Sequence, residues 1–128
     1  MQENHHVFEY AIVRVVPKVE RQEFLNVGVI LYCPRLKFLD CRFAVDDNRL
    51  SIFTNQLDIE EVKGHLRAFE QICAGGAQGG PIGELDNASR FRWLTAKRST
   101  IVQTSQVHPG LCIDPDETLN RLHERLVL

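Results

Sequence analysis

The sequence predicts an α+β fold: a small antiparallel sheet, made of a three-stranded meander plus a later edge strand, with two to three helices packed on one face. Three observations carry this. The first third of the chain alternates with a period of two and is rich in β-branched and aromatic residues. The middle switches to a helical period behind an acidic cap. The segments joining the first three strands are a few residues long, which suits antiparallel neighbours rather than crossovers. A chain of 128 residues fits one domain, residues 1–128, and buries about two-thirds of the surface its unfolded form exposes.

The elements follow in order. In residues 7–17 (VFEYAIVRVVP), Phe8, Tyr10, Ile12, Arg14 and Val16 share one face, while Val7, Ala11, Val13 and Val15 share the other. Both faces are therefore expected to be covered, and Arg14 stands out as a cation in an apolar row. Pro17 has no N–H to donate and ends the strand. Residues 27–33 form a second strand, in which Val27, Val29, Leu31 and Cys33 alternate with Gly28, Ile30 and Tyr32. After a turn at Pro34 and Arg35, a third strand at 38–45 puts Leu39, Cys41, Phe43 and Val45 on one face and Asp40 and Arg42 on a wetter one.

Asp58 and Glu61 have the spacing of a capping box, and Ile59, Val62, Leu66, Phe69 and Ile72 then recur on one helical face. Residues 75–83, which include five glycines, read as a flexible glycine-rich connector. They lack the Gly-Lys-Ser/Thr ending of a phosphate loop. A shorter helix is expected over 84–96, a polar edge strand over 100–106, and a turn at Pro109 and Gly110. Asp114 as cap, Pro115 at the first helical position and Glu117 then start a last helix, with Leu119, Leu122 and Leu126 as its apolar stripe.

Composition narrows the function classes. Fifteen Lys and Arg against seventeen Asp and Glu leave a net charge of −2, which argues against a general nucleic-acid binder. No apolar run approaches the ~18 residues of a membrane span, and MQENHHVFEY lacks the apolar stretch of a signal peptide. Cys33, Cys41, Cys73 and Cys112 show no C-x-x-C pair and no ligand spacing. They read as free thiols of a cytoplasmic protein. No metal and no cofactor is expected, since His65 and His123 have no second ligand four residues on and His5-His6 is too short for a site.

The informative segment is 90–108. No acid occurs between Asp86 and Asp114, whereas Arg90, Arg92, Lys97 and Arg98 supply four positive charges. Arg98-Ser99-Thr100 joins a guanidinium to two hydroxyls, a combination that suits phosphate or carboxylate oxygens. Trp93 between cations is a stacking surface, and His108 is a candidate proton donor. A plainer reading stands beside this one: a solvated helix face, a core Trp93 and a His108 that merely belongs to a turn. Arg14 also has two readings. It is either a strand cation paired with Glu20 or Glu23, or a second guanidinium facing the same cleft as Arg98.

Residues 10–17 (YAIVRVVP), Glu20-Arg21, Glu23-Phe24, residues 26–29 (NVGV) and Tyr32-Cys33-Pro34 resemble an uncharacterised bacterial family known only as a domain of unknown function. Residues 91–96 (FRWLTA), Arg98-Ser99-Thr100, Val107-His108, Gly110-Leu111 and Asp114-Pro115 are similar to the same family, so the resemblance runs from Phe8 to the C-terminus. Lys97 stands where that family is expected to carry proline. Members are often encoded beside a kinase-like protein that resembles the toxin of bacterial persistence modules. The resemblance therefore implies that this protein is the binding partner, regulator or substrate of such a kinase.

Function is expected to be that of a non-catalytic cytoplasmic binding or regulatory module. It would engage a protein partner or a small anionic ligand through segment 90–108, with Arg14, Arg92, Trp93, Arg98, Ser99, Thr100 and His108 as the ligand-binding set. The alternative is a small enzyme acting on a phosphorylated substrate. There Arg14 and Arg98 clamp the anion, Ser99 or Thr100 orients it, and His108 is the acid or base. A homodimer through Trp93, the apolar face of the first strand or the edge at 100–106 is a further expectation.

Overall fold

The period-two patterning of the first third resolves into β1 (His6–Val15), β2 (Leu25–Cys33) and β3 (Phe38–Phe43), an antiparallel meander in the order β3-β2-β1. The computed structural model describes residues 4–17, 23–53, 58–98 and 100–128. β4 (Val102–Thr104) and β5 (His108–Cys112) both pair antiparallel with β1 on its other side. β5 runs along the first half of β1, from His6 opposite Cys112 to Tyr10 opposite His108. β4 covers the end, from Val13 opposite Thr104 to Val15 opposite Val102. Between β1 and β2 the register shifts at Val13 and Arg14, so that Gly28 opposes Val13 and Asn26 opposes Arg14, leaving Val27 as the extra residue of a bulge.

One expectation is corrected here. Pro109 and Gly110 are not a turn but the middle of β5. Proline is tolerated because β5 pairs with β1 alone, so its missing N–H leaves no gap inside the sheet. Glycine is required because the Phe8 ring lies across it: a Cβ on Gly110 would sit 2.5 Å from Phe8 Cζ. The polar strand expected over 100–106 shrinks to the three residues of β4.

The helices are α1 (Asp47–Phe53), α2 (Ile59–Ala74), α3 (Gly80–Gly83), α4 (Asn87–Leu94) and α5 (Pro115–Leu126). α1 had no signature in the apolar pattern because Leu50 is its single buried residue. It is started by Asp46, whose Oδ1 accepts from the Asn48 and Arg49 N–H groups. Asp58, Asp86 and Asp114 cap α2, α4 and α5 in the same way. The glycine-rich stretch between α2 and α4 folds into a 3-10 turn (Ala77–Gly79) and α3, closed by Gly76 N–H donating to Gly83 O at 2.7 Å.

Strand alternation sorts the apolar residues into two layers. Ala11, Val13 and Val15 of β1, with Ile30, Tyr32 and Cys41, meet Val62, Leu66 and Phe69 of α2 and Phe91 and Leu94 of α4. Phe8, Val29, Leu31, Cys33 and Cys112 face the other way, against Leu119 and Val127 at α5. The α+β class and the meander are as expected, but the helices flank both faces of the sheet instead of one. The reason is visible in β2, where every residue from Val27 to Cys33 is buried, the pattern of a strand covered on both sides. In α5, Leu119 and Leu122 join the core as the stripe requires, but Val127 rather than Leu126 completes it.

Candidate functional site

α4 orients the basic segment. Its buried side is set by Phe91 and Leu94, which leaves Arg92 and Trp93 pointing outward. Trp93 is 39 % exposed, so it is not a core residue. The Arg98 guanidinium carbon lies over the indole, 3.9 Å from the ring centroid, and the group also donates to the Trp93 carbonyl oxygen. Arg92 reaches Glu9 of β1 at 3.3 Å. Lys97 is exposed. Together these side chains make an exposed aromatic and cationic surface at the C-terminal end of α4.

The other residues of the expected set fall elsewhere. Thr100 turns its hydroxyl inward on the chain, donating to Val102 O at 2.6 Å. Ser99 lies outside the described residues, as do Glu20 and Arg21. His108 sits opposite Tyr10 with ring centroids 5.4 Å apart, and Tyr10 packs with Phe8 on the α5 side of the sheet. Arg14 is four residues further along the same face, about 13 Å away by strand geometry. It is flanked by Asn26 and Gln103 and capped by the Phe24 ring, 4.0 Å from the guanidinium carbon. Burial lowers its pKa from the ordinary arginine value, and its Nε has no hydrogen-bond partner among the described residues.

Thus Arg14 and His108 are carried on the α5 face, while Arg98 is anchored to α4 on the opposite face. The contacts of Arg14, Arg98 and His108 are with Phe24, Trp93 and Tyr10 respectively. Arg90, counted with the basic segment, is a structural residue. It is 9 % exposed and donates to Leu85 O (2.6 Å), Asn87 Oδ1 (2.7 Å) and Cys73 O (3.4 Å), which ties α4 to the end of α2.

One grouping had no trace in residue spacing. All four cysteines are buried, and they meet in two pairs, Cys41 with Cys73 and Cys33 with Cys112. Burial and the neighbouring Cys33 push the Cys112 thiol up to about 11. Such pairing of residues far apart in the chain is a product of packing alone.

A family described as protein of unknown function (DUF3037) matches residues 10–127. The chain belongs to the DUF3037 family. No curated protein and no solved structure matches it significantly. The matched span takes in the sheet from Tyr10 onward and all five helices, so the α4 surface and both thiol pairs lie within the DUF3037 domain. Among the described residues, no helix is long and apolar enough to cross a membrane.

Proposed function

We propose that this DUF3037 protein is a non-catalytic binding module that engages an acidic surface of a protein partner through Arg92, Trp93, Lys97 and Arg98. The observation that carries the reading is the exposed Trp93–Arg98 stack. Tryptophan and arginine are the side chains that most often dominate protein interfaces, because each combines a large flat contact area with a specific polar group. Here the two are already assembled, so little side-chain entropy remains to be lost when a partner covers them. The surface is presented on the end of a helix, which suits a macromolecular partner better than a small molecule. Its cations match acidic groups, and a cytoplasmic setting would keep the four cysteines reduced.

The resemblance to proteins encoded beside a kinase-like gene product supplies the first partner to try. Purified protein and that kinase are titrated by calorimetry at low and moderate salt. Arg92→Ala with Arg98→Ala should weaken the complex by at least about tenfold, and Trp93→Ala by about 30-fold, as expected for interface anchors. Melting temperatures should stay near wild type. Unaltered affinity in a folded triple variant overturns the reading. If no kinase complex forms, but a nucleotide or other phosphorylated metabolite stabilises the wild type and not Arg98→Ala, a small anion replaces the protein partner.

A further inference from the structure

A cavity of about 400 Å³ lies between edge strand β3 and the last turn of α2, lined by Asp40, Cys41, Glu70, Gln71, Ala74 and Gly75 among others. Three donor atoms converge beside it. An oxygen of Asp40 and the sulfurs of Cys41 and Cys73 all lie within 4.8 Å of one another. Adjacent strand residues ordinarily point to opposite faces. β3 is an edge strand, however, and the Asp40 carboxylate is folded back along it. Its Oδ1 accepts from the Cys41 N–H at 2.8 Å, and its Oδ2 accepts from Arg42 Nη1 at 2.6 Å. Cys73 reaches the same point from α2, where it is 1 % exposed.

The charges are one-sided. Asp40 and Glu70 are the charged residues lining the cavity, and both are acids. Tetrahedral zinc holds sulfur at about 2.3 Å and carboxylate oxygen at about 2.0–2.2 Å, which places ligand atoms roughly 3.5–3.8 Å apart, so closure of about 1 Å brings the three donors onto one ion.

We propose that Cys41, Cys73 and Asp40 form a binding site for a divalent thiophilic cation, zinc(II) by preference, with Glu70 or a water of the cavity in the fourth position. Two thiolates with hard oxygen donors select zinc over magnesium or calcium. Binding releases the two thiol protons to solvent, and no electron changes hands. Arg42 becomes the orienting partner that fixes the ligating carboxylate. The site is separate from the α4 surface and does not depend on its function.

The test uses the full chain, reduced with a phosphine and freed of metal. Zinc is titrated against a chromogenic chelator, and cobalt(II) serves as the spectroscopic probe. One equivalent should bind, the cobalt form should show thiolate-to-metal charge transfer in the near ultraviolet, and zinc should raise the melting temperature. Cys41→Ser and Cys73→Ser should each weaken zinc by more than about 100-fold, beyond what removal of an orienting partner does, and Asp40→Asn by about tenfold or more. Cys33→Ser with Cys112→Ser should change neither stoichiometry nor affinity. Should the Cys41 and Cys73 variants not fold, zinc protection of Cys41 and Cys73 from alkylation in the wild type carries the test. Unprotected thiols, a cobalt spectrum without the thiolate band, or full zinc affinity in a folded Cys41→Ser or Cys73→Ser variant overturns the proposal.

Discussion

Replacing Gly28 with alanine tests how β3 is held against β2, and with it the positions of Asp40 and Cys41. Gly28 opposes Phe43 across the ladder, next to the bulge at Val27 of β2. A Cβ at Gly28 would stand 2.1 Å from Phe43 Cδ1, 2.6 Å from Cε1 and 2.7 Å from the Arg42 carbonyl oxygen. The ring cannot simply swing away, because it packs edge-on against Phe69 of α2 with centroids 5.6 Å apart. The carbonyl belongs to the paired backbone. Overpacking of this kind costs about 1–3 kcal/mol, and the lower entropy of the unfolded alanine chain offsets about 0.4–1 kcal/mol of that. The net loss of about 1–2 kcal/mol lowers the melting temperature of a chain this size by roughly 3–10 °C. Thermal and urea unfolding followed by circular dichroism measure it. Phe43→Leu in the same chain should recover part of the loss, giving a coupling of about 0.5 kcal/mol or more. A Gly28→Ala protein as stable as wild type, or strictly additive effects in the double variant, would refute the close-approach argument.

Other outcomes follow from single contacts. Arg90→Ala should destabilise by about 2–3 kcal/mol in urea, and Arg90→Lys should recover little, since a point charge cannot span Leu85 O, Asn87 Oδ1 and Cys73 O. Asp114→Ala removes the acceptor for the Asp116 and Glu117 N–H groups and should cost about 1 kcal/mol, whereas Asp114→Ser should stay close to wild type. Burial, and then the charge of Arg42, hold the His123 pKa below its ordinary value of 6.5. The unfolded chain therefore takes up this proton at a higher pH than the folded one, so stability is greatest above the unfolded value and declines as pH falls through it. The urea midpoint should drop between about pH 7.5 and pH 5.5, and His123→Gln should flatten that drop.

Much of the secondary structure was legible because it is local. Asp58 and Asp114 announce helix starts through side-chain acceptors a few residues from the N–H groups they satisfy, whereas the helix expected from residue 84 begins at Asn87 behind Asp86. The alternation in β1 likewise needs no knowledge of its neighbours. α1 was silent, since one buried leucine makes no periodic stripe. β5 was misread because proline and glycine act as turn residues only when the strand they sit in has no edge position to occupy. The acid-free segment did lead to a surface, in that Trp93 and Arg98 are five residues apart at one helix end and stack by local geometry.

What residue spacing could not decide is which side of the sheet each side chain reaches. Arg98 and His108 are ten positions apart, yet strand pairing of His108 with Tyr10 sends it to the α5 face while Arg98 stays with α4. Cys41 and Cys73 are 32 positions apart, and they meet because α2 packs its last turn against the β3 edge. Caps, strand periods and charge runs are properties of neighbours along the chain, so the sequence alone determined the α+β class, the meander and the basic segment. Face, pairing and convergence depend on long-range burial, in particular on β2 being covered from both sides. Only the tertiary structure could gather the thiols.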